Sequence, residues 1–180
     1  MRRFFLGLGV ALGLASGQPD PSFFASVAVL EGTVSLYARV DDAFAPGALE
    51  LVEAGTRVAL RYSARIEGRE GRPIEASETR ALWYDIRTGF YDVSFDNGRK
   101  TSRLVDPQAA RNLVSELRSL ELCRAEEVAP GGRAAIKAEI GIIDAQGEWH
   151  DAPVLWNYCE PRAMQIVAAA RGGAPSQGSR

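Results

Sequence analysis

The chain has 180 residues, 46% of them hydrophobic and 24% charged, and a formal net charge of −2. That composition excludes a disordered chain, a collagen-like fibre and a disulfide-rich miniprotein, and the length suits one domain able to bury roughly 70% of its unfolded surface. The charge balance gives no electrostatic reason to expect nucleic acid as a partner.

The chain opens Met1-Arg2-Arg3, runs uncharged from Phe4 to Leu14, and continues Ala15-Ser16-Gly17. Two arginines, a short apolar run and small residues at −3 and −1 predict a signal peptide over residues 1–17, cleaved after Gly17. A retained anchor is the alternative. The run is shorter than the ~20 residues a membrane-spanning helix needs, and no other stretch comes closer, so no transmembrane helix is expected in the mature chain. Loss of Arg2 and Arg3 lowers the basic count from 21 to 19 against 23 acidic residues, a net charge of −4. Such a chain has no excess of positive charge to hold it on an anionic membrane. The expected location is exported, periplasmic or extracytoplasmic. The expected organisation is a single β-rich domain over residues 22–171 and a disordered tail over 172–180.

Residues 22–31 are rich in β-formers and predict a strand. Val34, Leu36, Ala38 and Val40 then alternate with Ser35, Tyr37 and Arg39, a half-buried strand. Pro46 to Gly55 predicts a short helix, with Pro46 in the first turn and Gly55 just past the end. Val58, Leu60, Tyr62, Ala64 and Ile66 alternate with charged residues, so that strand has one wet face. Residues 68–75 read as a polar loop. Thr79 to Ile86, Phe90 to Phe95 and Arg99 to Leu104 predict a meander, its second turn marked by Asn97-Gly98. Asp106-Pro107 opens a helix whose apolar face carries Ala110, Leu113, Val114, Leu117 and Leu120. Residues 121–132 read as irregular. Ile136, Ala138, Ile140 and Ile142 mark another strand, and Trp149 to Tyr158 a last one. Met164 to Arg171 reads as a short helix. The expected fold class is α+β: an antiparallel sheet or sandwich of about seven to eight strands with two helices packed on it.

The helix-to-strand segment Leu49, Leu51, Gly55, Val58, Leu60, Tyr62, the hairpin residues Thr79-Arg80, Leu82, Tyr84-Asp85, Thr88 and Tyr91, the Leu113/Leu117 helix and the strand near Trp156 together resemble a family of exported bacterial proteins known as a domain of unknown function. The resemblance implies an envelope location and lends no catalytic residues.

Cys123 and Cys159 are the only cysteines. In an oxidising compartment an even pair is read first as a disulfide, here closing about 37 residues and contributing roughly 3–4 kcal/mol; two buried free thiols are the alternative. His150 is the only histidine, too few for a His-rich zinc site. Asp85, Asp92 and Asp96 flank the hairpin and could pair for acid–base work, but Asp85 reads better as a cap of the Arg87–Gly89 turn and Asp96 as a cap before Asn97-Gly98. Trp83, Tyr91 and Trp149 form the candidate binding surface. The leading expectation is therefore a non-enzymatic exported module that binds or assembles with another envelope protein or component, with no cofactor. The alternatives are a hydrolase acting on envelope polymers through carboxylates, and a carrier of a small apolar ligand.

Overall fold

The computed structural model of the chain describes residues 21–152, 155, 158–159 and 164–165. The expected signal peptide, Trp156 and the expected tail lie outside the described residues. Two antiparallel sheets share one core. The smaller is formed by β1 (Ser22–Leu30), β2 (Thr33–Asp41) and β7 (Glu116–Arg124), in the order β1-β2-β7. The larger runs β8-β3-β4-β5-β6, from β8 (Arg133–Ile143) through β3 (Arg57–Glu67), β4 (Pro73–Asp85) and β5 (Phe90–Phe95) to β6 (Lys100–Leu104). Three short strands, β9 (Trp149–Asp151), β10 (Tyr158–Cys159) and β11 (Met164–Gln165), pair with β8. Helices α1 (Pro46–Glu53) and α2 (Pro107–Ser115) complete a mostly antiparallel α+β fold, as expected.

The alternation in the sequence sets which face of the larger sheet is dry. Val58, Leu60, Tyr62, Ala64 and Ile66 of β3 are all buried, and so are Ala134, Ile136, Ala138 and Ile140 opposite them on β8. A fully buried Val, Leu or Ile contributes about 1.5–3 kcal/mol, so this doubled row is the main source of cohesion. Val34, Leu36, Ala38 and Val40 of β2 face the same core from the smaller sheet. Both helices lie on this inner face. Ala48 and Val52, one turn apart on α1, are buried, as are Ala110 and Val114 on α2. The Asp106 carboxylate accepts the Gln108 N–H and caps α2 as the sequence predicts. Gly55, at φ +85°, ends α1 in the left-handed conformation that a side chain would strain.

Three expectations are corrected. Helix α2 stops at Ser115, and Leu117 and Leu120 belong to β7, which also takes in part of the segment read as irregular. Pairing with β2 skips one β7 residue between Glu121 and Cys123 and another between Leu117 and Leu120. These two bulges break the period of two and create the three-residue spacing that imitates a helix. Strand β4 begins at Pro73, not Thr79, because Glu75 and Ser77 occupy its wet face while Ile74 and Ala76 stand opposite Ile66 and Ala64. Met164 and Gln165 pair with β8 as strand, not helix; the rest of that segment lies outside the described residues.

Candidate functional site

The outer face of the larger sheet carries two of the three residues expected to bind. Trp83 on β4 is half-buried, with the Arg57 guanidinium 4.8 Å from its ring centroid. Trp149 on β9 lies across the backbone of β8 at Gly141, where an added Cβ would come within 2.5 Å of the indole. Its other face is covered by Arg61, 4.1 Å from the ring centroid, and its Nε1 donates to Asp151 at 3.0 Å. Both indoles are thus engaged by cations of the same chain. Arg61 also donates to Glu139 at 3.2 Å. Tyr91 is on the opposite face: it pairs in register with Tyr84, packs against the core, and its ring centroid is 5.0 Å from that of Tyr84. The three aromatic residues do not share a surface.

The carboxylates are engaged separately. Asp92 takes Arg103 in a two-point pair, at 2.7 and 3.2 Å, and Arg103 also lies over Phe90. Asp85 accepts the Arg87 N–H at 3.0 Å, and its hydrogen bonds from Thr88 and the Arg87 backbone hold its carboxyl below the usual range. His150 is at the far side of the sheet, beyond β3 and β8, with its Nε2 2.7 Å from Asp144. The Asp144 carboxylate also accepts the Gln146 and Glu148 N–H groups, and the His150 contact leads the causes that lower its pKa. Asp144, Glu148 and His150 bring one ligand atom each within 4.8 Å of one another, a cluster the sequence reading did not anticipate. Its hydrogen bonds are those of the β8–β9 turn, so the cluster is explained by turn structure.

A charged pair is hidden on the inner face. Arg80 and Glu78 are both buried, and Arg80 Nε donates to Glu78 at 2.7 Å. Arg80 Nη1 donates to the Leu113 carbonyl at 2.9 Å and also to that of Glu116. Tyr62 donates to the carbonyls of Val114 at 3.1 Å and Ser115 at 2.8 Å. Together they satisfy the carbonyls that α2 leaves open at its C-terminus, where a cation also opposes the helix dipole.

Cys123 is a free thiol, half-buried on β7, so the expected bridge to Cys159 is not formed. The reason is topological: Cys123 stands opposite Val34 in the smaller sheet, whereas Cys159 stands opposite Ala138 at the edge of the larger one. Burial, and then Glu127, push the thiol pKa up.

The remaining feature is an edge. Among the described residues β1 is paired on one side only, by β2. Its nine residues include no charge and no proline, and Phe24 and Leu30 are each 55% exposed. Edge strands are ordinarily protected by charge, proline, bulges, brevity or a covering element; among the described residues β1 has none of the first four, and β8 of the other sheet packs near it. The uncharged sequence was legible; its position at an edge required the topology.

None of the helices is long and apolar enough to cross a membrane among the described residues. No protein-family model, curated protein or solved structure matches the chain. What the structure shows is a mostly antiparallel β domain with two helices.

Proposed function

We propose that this chain is an exported, non-enzymatic module of the cell envelope that binds or assembles with another envelope protein or component through strand β1. The observation that carries the reading is that β1 is paired on one side only among the described residues, with nine uncharged residues and Phe24 and Leu30 exposed. An edge of this kind offers a row of backbone N–H and C=O groups to an incoming strand, which supplies affinity through the main chain. The indoles of Trp83 and Trp149 support the reading less, because Arg57 and Arg61 occupy their faces at 4.8 and 4.1 Å, closer than Arg39 stands to the Phe24 ring at 5.4 Å. The hydrolase alternative has less support still, since Asp92 is tied to Arg103 and His150 is on the other side of the sheet.

The test is site-specific photocrosslinking in cells, with the crosslinker placed at Phe24 or Ala28 and, as a control, at Thr79 on the outer face. The expected result is a discrete adduct from the two β1 positions and none from Thr79. No adduct from β1, or equal adducts from all three, overturns the proposal. N-terminal sequencing of the exported protein is expected to begin at Gln18.

A further inference from the structure

At the end of the larger sheet where β3 turns into β4, the structure encloses an open cavity of about 680 Å³. Three arginines, Arg65, Arg69 and Arg133, line it, with Glu67 as the one acidic residue among them. The electrostatics inside the cavity therefore run opposite to the negative charge of the chain as a whole. The Glu67 carboxylate accepts the Arg133 N–H at 3.4 Å, and Arg65 pairs with Glu75 at 3.4 Å. Arg69 and Arg133 have no ion-pair partner among the described residues.

The frame that carries these two cations is laced together by backbone. Gly68 bridges to Val128, Arg69 N donates to the Glu127 carbonyl at 2.7 Å, and Ala129 N donates to that of Glu67 at 3.0 Å. Gly68 is needed at this crossing, since an added Cβ would come within 2.3 Å of the Arg72 carbonyl oxygen. The frame fixes the backbone from which Arg69 projects, and the planar donors of two guanidinium groups match the oxygens of a phosphate in geometry and, together, in charge. The apolar residues Pro73, Ala129 and Ala135 also line the cavity.

We infer that this cavity binds a phosphate-bearing amphiphile, with Arg69 and Arg133 on the phosphate and Pro73, Ala129 and Ala135 against the first part of the alkyl chain. No residue of β1 lines this cavity, so its failure would leave the β1 reading untouched.

Isothermal titration of the full chain with dodecyl phosphate below its micellar concentration tests it, alongside inorganic phosphate and the uncharged detergent dodecyl maltoside. Saturable binding of one dodecyl phosphate per chain is expected. Inorganic phosphate should bind at least tenfold more weakly, and dodecyl maltoside should give no saturable heat. The double variant Arg69→Gln/Arg133→Gln should weaken dodecyl phosphate binding at least tenfold. Both side chains are exposed, so its thermal melting should match the parent; the lysine double variant, which keeps the charge, should restore part of the affinity. The inference is overturned by absence of saturable binding, by unchanged affinity in the glutamine variant, by equal binding of dodecyl maltoside, or by inorganic phosphate binding as tightly as the alkyl ester.

Discussion

Arg80 shows how one buried charge is made compatible with a core. Its Nε donates to Glu78, which neutralises it, and its Nη1 donates to the carbonyls of Leu113 and Glu116. Removing one partner of such a pair leaves the other buried and uncompensated, which costs about 3–5 kcal/mol. Arg80→Met should therefore lower stability by that amount in urea unfolding, and Glu78→Leu added to it should recover part of the loss. Equal stability of Arg80→Met and the parent would show that the pair contributes nothing. Tyr62 adds a pH signature. Burial pushes its hydroxyl far above the ordinary tyrosine value of 10.0. The folded state therefore favours the protonated form, and stability is fully present below the unfolded value. It is lost as pH rises from about 10, where the unfolded chain ionises first. Parent stability should fall in alkaline buffer more steeply than that of Tyr62→Phe, which has no hydroxyl to ionise. At neutral pH the same variant should be about 1–3 kcal/mol less stable, because the Val114 and Ser115 carbonyls lose their donor. None of this network was legible in the sequence. Arg80 sits in a strand where alternation places it beside Leu82 and Glu78, and only the position of the end of α2 shows what it satisfies.

At the level of elements, legibility followed regularity. Strands β2, β3 and β8 keep a period of two along their apolar faces, so most of their buried residues could be listed from sequence; Ser35, Ala59 and Gly141, buried out of phase, could not. Helix α2 announced its start through Asp106-Pro107, but nothing local announced its end. Strand β7 was hidden because its two bulges shift Leu117 and Leu120 onto a helical spacing. The outer face offers an element-scale prediction. Gly141 lets the Trp149 indole lie flat against β8, and a valine there would need the space the ring occupies. Gly141→Val should release β9 from the sheet edge, breaking the Arg61–Trp149 contact. Tryptophan fluorescence should shift to the red, while the core, which lies on the opposite face, keeps most of its melting temperature. An unchanged emission maximum would mean that the ring is not held by this contact.

For the whole molecule, counts of charge and length were poor guides to surfaces. The net charge of −2 concealed a cavity whose arginines outnumber its one acid, because a sum over 180 residues carries no information about which loops meet. The same holds for β1: its lack of charge is visible in the sequence, but pairing on one side only is a property of sheet order. If that edge is the assembly surface, a charge on it should act as protection does in other sheets. Ser26 suits this test because its side chain is exposed at the middle of β1 while the core is held by its neighbours. Ser26→Lys would present an ammonium group to any strand docking along the edge, and burying that charge unpaired is unfavourable. The variant should melt within about 1 kcal/mol of the parent, as exposed substitutions away from special features usually do. It should nevertheless lose the crosslinks made from Phe24 and Ala28. Retained crosslinks in a normally folded Ser26→Lys protein would place the contact on side chains rather than on the strand edge, and would remove strand addition as the mode of assembly.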